Sequence, residues 1–412
     1  MKVVVVGKGG REHALAHKLK ESALLTDLWV CPGNPGMTLA GLQCAPVETA
    51  EQITQFCVKN NVSLAVVGPE ALILSDLKAR LAAHGISCFA PDPQVGKLES
   101  SKIFCKSILD ASDVPTAKGT IAQNHEQAMS VVTKHDFSQP IVVKADGLAQ
   151  GKGVWVCASK AHATEAVQTL GEQFGFPLLF EEYLLGQELS AFALCDGSDF
   201  VVLGTACDYK RITPDPFSAN TGGMGAYSPC DFISSQDEAA IHKIFAKTLQ
   251  TLSEKNLSYQ GFLFAGLMKT AQGIYVLEYN VRMGDPETQA LLPRLKTDLL
   301  SLIVAAVKHE LKNQKCEVSS AVSVHVVAVS QGYPQAQMLL QRPISVPAMS
   351  ELKTQLYFAG VSQQAEHLVN SGGRVLGVTA MAANKAEARK QAYTDLKKTS
   401  FAGMYYREDI AE

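Results

Sequence analysis

Short apolar strands alternate with helical patterns through the first hundred residues, and this alternation limits the fold more than any other sequence feature. The run VVVVG (3–7) indicates a buried strand, and a helix follows from Glu12 to Lys20. Further strands at 28–31, 64–68 and 87–90 end in PGN, PE and PD. Continuous apolar runs are typical of parallel strands that are covered on both faces. The pattern predicts a doubly wound parallel sheet with ligands at the carboxyl ends of its strands.

The rest of the 412-residue chain divides into two further parts. A helix at 102–109 precedes strand-rich sequence with glycine turns, and a mixed segment then runs to about residue 314. The last part contains the strands SVHVVAVS and RVLGVTAM and one helix. We expect an α/β domain over 1–100, a central domain over 101–315 with a flap subdomain at about 115–183, and a small α+β domain over 320–412.

Composition excludes several classes of protein. The net charge is −3 and 19% of residues are charged. The chain therefore has no strong positive field to attract a nucleic acid, and we expect no nucleic-acid partner. No apolar run reaches the roughly 18 residues that a membrane-spanning helix needs. The first residues lack the apolar region of a signal peptide, which predicts a cytoplasmic protein. Ten cysteines without any C-x-x-C pair predict reduced, small apolar residues and no zinc cluster.

The first glycine-rich loop, GKGGREHA (7–14), follows the first strand and begins a helix. A dinucleotide fingerprint needs a third glycine where Glu12 stands, and no acidic residue ends the second strand, so NAD is disfavoured. Bare backbone amides at a helix N-terminus, beside Arg11, suit one phosphate monoester. A tight strand-to-helix turn without a ligand is the alternative.

A second glycine-rich loop joins two apolar strands in PIVVKADGLAQGKGVWVC (140–157). The glycine spacing and the strand that follows exclude a P-loop. The segment is therefore a hairpin flap that could fold over a triphosphate, with Lys144 and Lys152 supplying positive charge. A plain hairpin with solvated lysines is the alternative.

Two strand ends carry carboxylates. The segment LLFEEYLLGQE (178–188) could offer its backbone to an adenine edge and Glu188 to ribose hydroxyls, although acidic strand ends are also common on surfaces. In IYVLEYNVRMGDPETQ (274–289), Glu278 and Asn280 are two residues apart and share one face of a strand. Their hard oxygens suit Mg²⁺ beside phosphate oxygens, and Arg282 follows on the same side. Between these segments lies a polar, glycine-rich loop at 208–229, which we interpret as wrapped around a ligand.

Together these segments resemble the ATP-grasp ligases, and their sequence motifs are similar to those of the glycinamide ribonucleotide synthetase family. The matching strings are GxGGREHAL at 7, PGN at 32, VGPE at 67, LESSK at 98, KADGLAxGKGV at 144, EEYLxGxE at 181, DYKR at 208, NTGGMGAYSP at 220, EYNVRMGDPETQ at 278, GYP at 332 and GGRVLGVTA at 372. The resemblance implies an ATP-grasp central domain with a mobile flap. It also implies ligation of glycine to 5-phosphoribosylamine, giving glycinamide ribonucleotide, ADP and phosphate in de novo purine synthesis.

The resemblance carries roles onto individual residues. The implied nucleotide-binding residues are Lys102, Lys144, Gly147, Gly151, Gly153, Glu181, Glu182, Tyr183, Leu184 and Glu188. The implied substrate-binding residues are Gly9, Gly10, Arg11, Asn34, Glu70, Asp208, Lys210, Asn220, Thr221, Gly222 and Gly223. The implied catalytic residues are Lys152, Arg282 and Asp285, and the implied ligands of Mg²⁺ or Mn²⁺ are Glu278 and Asn280.

The expected partners are ATP, glycine and phosphoribosylamine, with no nucleic acid and no membrane, and the expected state is a monomer or weak homodimer. The main alternative is another ATP-grasp carboxylate–amine ligase or a carboxylase, which would turn over ATP with a different acid. A nucleotide-binding regulator is a further alternative, and it would bind ATP without releasing phosphate.

Overall fold

A computed structural model describes residues 1–148, 153–215 and 218–412. The first part contains the strands β1 (Lys2–Gly7), β2 (Asp27–Pro32), β3 (Gln43–Cys44), β4 (Leu64–Val67) and β5 (Ser87–Phe89), and the helices α1 (Gly10–Leu19), α2 (Pro35–Leu39), α3 (Ala50–Asn60), α4 (Glu70–Ile73) and α5 (Leu77–Ala82). All pairs in the sheet are parallel, and the order is β3-β2-β1-β4-β5. Val3 to Val6 are fully buried between helices. The predicted doubly wound sheet is confirmed.

A linker and a small sheet follow. The linker holds α6 (Lys97–Ser100) and α7 (Lys102–Ala111), and the small sheet is built from β6 (Gly119–Ala122), α8 (His125–Lys134), β7 (Ile141–Ala145), β8 (Val154–Cys157), α9 (Lys160–Phe174) and β9 (Leu178–Glu182). The strand order is β6-β9-β7-β8, and α8 and α9 cover one face with a separate apolar core. The sheet lies within the predicted flap, and we call it the flap sheet. Its uncovered face carries Lys144 and Glu181.

The remaining strands form one large sheet and a hairpin. The elements are β10 (Gln187–Asp196), β11 (Phe200–Asp208), β12 (Gly225–Ser228), α10 (Ser235–Glu254), β13 (Gln260–Thr270), β14 (Gly273–Asn280), α11 (Glu287–Leu291), α12 (Leu299–Val307), β15 (Val322–Val329), β16 (Gln355–Phe358), β17 (Val361–Gln364), β18 (His367–Asn370), β19 (Arg374–Ala382) and α13 (Lys385–Leu396). The order β14-β13-β10-β11-β12-β15-β19-β16 runs through eight strands. The pairing of β12 with β15 joins the central and last parts in one sheet. The domain limits named above stay predictions.

The expectation that all ten cysteines are reduced is wrong for one pair. Cys207 at the end of β11 and Cys230 after β12 form a disulfide. The sequence separation of 23 residues gives no local signal for this pairing. In the part of the chain that the structure describes, no helix is both long and apolar enough to cross a bilayer.

Candidate functional site

The end of β14 brings the two expected metal ligands together. Asn280 Nδ2 donates to Glu278 Oε1 at 3.4 Å, so both side chains lie on one face as predicted. Gly266 on β13 lies opposite Glu278 and leaves room for its carboxylate. Glu278 is exposed and Asn280 is buried. Within residues 1–148, 153–215 and 218–412, no three His, Cys, Asp or Glu side chains are grouped to hold a metal, so this pair would need oxygens from a ligand.

Arg282 is held by two carboxylates from outside the large sheet. Its Nη2 lies 2.8 Å from Glu99 Oε1, and its Nε lies 3.4 Å from Glu70 Oε2. Glu99 also accepts a hydrogen bond from Val281 N at 2.9 Å. Burial alone would raise the pKa of Glu70, but Arg282, a backbone hydrogen bond and the charge of Arg11 together lower that pKa. Glu99 was missed by the sequence analysis, although it lies in the LESSK string.

Two lysines share one buried carboxylate on the flap side of the cleft. Lys144 Nζ lies 2.6 Å from Glu181 Oε2, and Lys106 Nζ lies 3.3 Å from Glu181 Oε1. Lys144 also donates to Leu277 O at 3.3 Å, so the flap sheet touches β14. Lys106 was also missed. Its position four residues after Lys102 on α7 places both lysines on one helix face, which was the available signal.

Lys102 lies in the same pocket. Burial lowers its pKa, while the charge of Glu278 opposes that shift. Lys102, Lys144, Glu181, Glu278 and Asn280 all line one cavity between the linker, the flap sheet and β14. The structure therefore brings together the residues expected to hold the triphosphate and its metal.

The flap loop is described only in part. Lys102 Nζ donates to Gly147 O at 3.0 Å, and Gly147 has a φ of +112°, which a residue with a side chain rarely adopts. Ala145 N donates to Gly153 O at 2.8 Å at the other end of the loop. The expected roles of Gly151 and Lys152 lie outside the described residues.

The segment expected to meet adenine leaves the flap sheet at its end. Glu181 is buried against the lysines, whereas Glu182 turns away and accepts from Lys118 N at 2.8 Å. Tyr183 is exposed and Leu184 is half-buried. Glu182 N donates to Lys118 O at 3.0 Å, so the backbone of 183–184 is the part of this segment left to face a base.

Glu188, expected to meet ribose, forms an ion pair with Lys210. Asp208 Oδ1 lies 3.9 Å from the same ammonium group. Burial raises the pKa of Asp208 against the opposing charge of Lys210. Burial would lower the pKa of Lys210, but Asp208 and Glu188 together raise it. The three residues therefore form one charged group at the edge of the cleft.

A buried carboxylate behind this group was missed. Glu287 Oε1 accepts from Ser190 Oγ at 3.1 Å, and burial followed by the charge of Asp208 raises the pKa of Glu287 to about 7. A Cβ at Gly284 would lie 2.5 Å from Glu287 Oε2, so the glycine admits the carboxylate. The GDPETQ string contained this residue, but only Asp285 was selected from it.

The glycine-rich loop folds back on the DYKR segment. Thr221 Oγ1 donates to Lys210 O at 2.8 Å and accepts from Gly223 N at 2.9 Å. Gly223 has a φ of +116°, and a Cβ there would lie 2.3 Å from Pro286. Asn220 is exposed and pairs with Arg211 in an isolated antiparallel bridge. The close approach to Pro286 therefore requires glycine at 223, and the interpretation that this loop wraps around a ligand stays a prediction.

Two residues of the last domain hold this loop against Asp285. Gly222 N donates to Tyr333 Oη at 2.9 Å, and Arg374 Nη1 donates to Gly222 O at 2.7 Å. Arg374 Nη1 also donates to Asp285 O at 2.6 Å, and its Nη2 lies 3.2 Å from Asp285 Oδ2. Burial would raise the pKa of Asp285, but the charges of Arg374 and Arg11 and the hydrogen bond from Gln289 together lower it. Tyr333 and Arg374 belong to the GYP and GGRVLG strings, to which the sequence analysis gave no role.

Glu12 occupies the centre of the first glycine loop. Its Oε2 accepts from Gly9 N at 2.8 Å, and its Oε1 accepts from Arg11 Nε at 2.5 Å. A Cβ at Gly68 would lie 2.0 Å from Glu12 Oε1. The carboxylate therefore fills the space where a dinucleotide phosphate would approach α1. Arg11 is buried and its Nη1 donates to Met283 O at 3.2 Å.

Asn34 has a structural role that the sequence analysis did not foresee. Its Oδ1 accepts from Met37 N at 3.0 Å and caps α2, while its Nδ2 donates to Lys8 O at 2.9 Å. The side chain is also within hydrogen-bonding distance of Phe358 O, 3.3 Å away. Its amide is thus engaged within the protein. A Cβ at Gly10 would lie 2.6 Å from Gln289 Nε2, so the N-terminus of α1 lies close to the segment that contains Asp285.

Family comparisons match almost the whole chain. The phosphoribosylglycinamide synthetase N domain matches residues 1–99, the ATP-grasp (A) domain matches 100–288 and the C domain matches 323–412. Phosphoribosylamine–glycine ligase from Caldanaerobacter subterraneus subsp. tengcongensis is 38% identical over 419 residues, covering 100% of this chain and 99% of the relative. The enzyme of the same name from Nostoc sp. is 39% identical over 421 residues, with the same coverage of both chains.

Solved structures also show similarity over the whole length of this chain. The crystal structure of phosphoribosylamine–glycine ligase from Thermotoga maritima has a TM-score of 0.88 at 32% identity and covers 100% of both chains. Biotin carboxylase from Campylobacter jejuni in complex with β,γ-ATP has a TM-score of 0.77 at 14% identity, over 100% of this chain and 94% of that one. At that identity the second likeness concerns the fold alone.

Proposed function

The chain belongs to the phosphoribosylglycinamide synthetase family and is an ATP-grasp ligase of purine biosynthesis that joins glycine to phosphoribosylamine, and we propose that it does so through a glycyl phosphate. One contact carries the proposal. Lys144 of the flap sheet donates to Leu277 O on β14, the strand that carries Glu278. The cationic side of the cleft thus closes on the strand with the oxygen ligands, as a triphosphate between them requires.

The reaction has two steps. A glycine carboxylate oxygen forms a bond to the γ-phosphorus of ATP, the bond between the β–γ bridging oxygen and that phosphorus breaks, and ADP leaves. The amine nitrogen of phosphoribosylamine then forms a bond to the glycyl carbon and loses a proton, while phosphate leaves with the electrons of the acyl C–O bond. We propose that Lys102, Lys144 and Arg282 stabilise negative charge on the transferring phosphoryl group. The closed flap would keep water from the acyl phosphate.

Glu278 and Asn280 would hold Mg²⁺, with Mn²⁺ as the alternative ion. The fit rests on two hard oxygen donors on one face, one of them exposed, beside a pocket lined by lysines. The ion would neutralise charge on the β- and γ-phosphate oxygens.

We place phosphoribosylamine where all three domains meet. Arg11 on α1, Asp285 and Arg374 converge there, and Arg374 is the partly exposed guanidinium. Because Glu12 already accepts from Gly9 N, that amide does not contribute to phosphate recognition in this arrangement. The Asn220–Gly223 loop, Asp208 and Lys210 would border the reacting groups.

Isotope transfer tests the intermediate. Glycine labelled with ¹⁸O in its carboxylate is incubated with ATP, Mg²⁺ and freshly generated phosphoribosylamine, and the released phosphate is analysed by mass spectrometry. We expect one ¹⁸O atom per phosphate. Unlabelled phosphate would contradict a glycyl phosphate. Omitting glycine, or replacing it with bicarbonate, tests the carboxylase alternative, and we expect neither mixture to release phosphate above background.

We also propose a cytoplasmic enzyme that works as a monomer or weak homodimer. Sedimentation velocity over a concentration series measures the oligomeric state, and activity per chain over the same series shows whether catalysis depends on it. Activity that depends steeply on association would contradict it.

A further inference from the structure

Residues 208–212 present two faces to different parts of the molecule. The segment extends β11, and Tyr209 N donates to Gly225 O at 2.9 Å as in a strand ladder. In extended backbone, successive side chains point to opposite faces. Asp208 and Lys210 face Glu188 in the site. Tyr209 faces the other way, toward Arg407.

The second face is covered by residues 405–411, which we call the back segment. Arg407 Nη1 donates to Arg211 O at 3.0 Å, and Tyr405 Oη donates to Ile212 O at 3.1 Å. Ala411 N donates to Tyr209 Oη at 2.9 Å. The Arg407 guanidinium carbon lies 5.2 Å from the centre of the Tyr209 ring, a cation–π distance. These contacts fix backbone and ring positions on both sides of Lys210.

The back segment is itself firmly anchored. Tyr405 pairs with Val329 at the end of β15, through hydrogen bonds of 2.8 and 3.0 Å. Tyr393 Oη on α13 donates to Arg407 O at 2.6 Å. Arg407 is buried, and its Nε donates to Asp409 Oδ1 at 2.8 Å. Because its anchors lie in the last domain, the back segment can set the position of a segment that belongs to the central domain.

We propose that Arg407 and Tyr405 are positioning residues for the ligation reaction, which hold the 211–212 backbone so that Lys210 stays in register with Asp208 and Glu188. This inference rests on the proposed function and on the placement of Lys210 at the reacting centre. Both residues contact the face of the 209–212 segment that is turned away from Glu188. Their effect would reach the chemistry only through Lys210.

Steady-state kinetics of Arg407→Met and Tyr405→Phe test the inference. We expect kcat to fall about tenfold in R407M and about threefold in Y405F, because each variant loses a hydrogen bond to the loop backbone. The KM for ATP should rise by a smaller factor than kcat falls, since the pocket of Lys102 and Lys144 is untouched and only Glu188 among the nucleotide-binding residues pairs with Lys210. Tyr406→Phe is the matched control, because the Tyr406 hydroxyl makes no hydrogen bond with the described residues and its ring faces Tyr393.

Two further measurements separate positioning from general stability. In a Lys210→Arg background, R407M should cause no further loss of kcat, because Arg407 acts through Lys210. Hydrogen exchange of 209–214 should rise in R407M while exchange within β10 stays unchanged. Wild-type kcat in R407M, an equal loss in Y406F, or an additive loss with Lys210→Arg would overturn the proposal. Wild-type protein without glycine-dependent phosphate release would instead contradict the proposed function.

Discussion

Lys144 and Glu181 form an ion pair 2.6 Å long across neighbouring strands of the flap sheet, and both side chains are almost fully buried. Lys106 approaches the second oxygen of the same carboxylate at 3.3 Å. Two ammonium groups therefore share one carboxylate. Lys106 also approaches Asp110 at 3.8 Å, and Lys102 adds a further positive charge to the wall of the cleft. A polyphosphate would complete the neutralisation of this charge.

Replacing Lys144 with Met should weaken both nucleotide binding and folding. We expect the KM for ATP to rise at least about tenfold through loss of a charge-assisted contact. We also expect the free energy of unfolding to fall by about 1–3 kcal/mol, because Glu181 retains only Lys106. Isothermal titration with a non-hydrolysable ATP analogue and urea unfolding measure the two effects. Lys134→Met, at an exposed position on α8, is the control; equal ATP affinity in both variants would contradict the assignment.

The raised pKa of Glu287 predicts that the stability of the protein depends on pH. Its pKa is raised to about 7 from an ordinary 4.5, first by burial and then by the charge of Asp208. The folded protein therefore holds this proton more tightly than the unfolded chain does. The corresponding stability is fully present below about pH 4.5 and is lost as the pH rises through about 7. Glu287→Gln removes this dependence, so its stability relative to wild type should improve from pH 5 to pH 8 in urea unfolding. Glu182→Gln, at an exposed site, should show no such trend; a flat difference for Glu287→Gln would refute the elevated pKa.

Arg374 should matter for phosphoribosylamine more than for ATP. Its guanidinium joins Gly222 O to both the backbone and the carboxylate of Asp285. Arg374→Met removes all these contacts, and we expect the KM for phosphoribosylamine to rise at least about tenfold with little change in the KM for ATP. The exposed Arg342→Met serves as control in the same domain. A selective rise in the KM for ATP would be the contrary result.

Glu278→Gln should weaken metal binding without disturbing the strand. The amide keeps an oxygen but loses the charge, so we expect the Mg²⁺ concentration for half-maximal activity to rise about tenfold or more. Mn²⁺ binding in the presence of a non-hydrolysable ATP analogue, followed by electron paramagnetic resonance, gives a readout independent of turnover. The exposed Glu238→Gln on α10 is the control. Unaltered Mn²⁺ affinity in Glu278→Gln would exclude this carboxylate as a ligand.

Local sequence patterns predicted the parts of the fold that depend on local rules. Valine runs predicted β1, because a strand buried on both faces needs apolar side chains throughout. Period-two spacing predicted that Glu278 and Asn280 share a face, and their side-chain contact is confirmed. The 20-residue helix α10 was not separated from the mixed segment around it, although Ser234 and Asp237 form a capping box at its start.

Apart from Lys106, which its spacing from Lys102 could have indicated, the missed site residues act across long sequence separations. Arg374 reaches Asp285 across 89 residues, and Glu99 reaches Val281 across 182. Such pairings follow from how the domains pack, and periodicity within one segment carries no information about them. Glu12 is a different case. The sequence showed that Glu12 replaces the third glycine of the dinucleotide fingerprint. Its packing against Gly68 could not be predicted without knowing that β4 lies beside β1.

The continuous eight-stranded sheet restricts how this enzyme can be dissected or recombined. The four-residue strand β12 has β11 on one edge and β15 on the other. A chain cut between β12 and β15 would leave each fragment with a bare hydrogen-bonding edge, which invites aggregation through intermolecular strand pairing. Chimeras with other ligases should therefore exchange β12 and β15 as a pair and place their junctions outside that ladder.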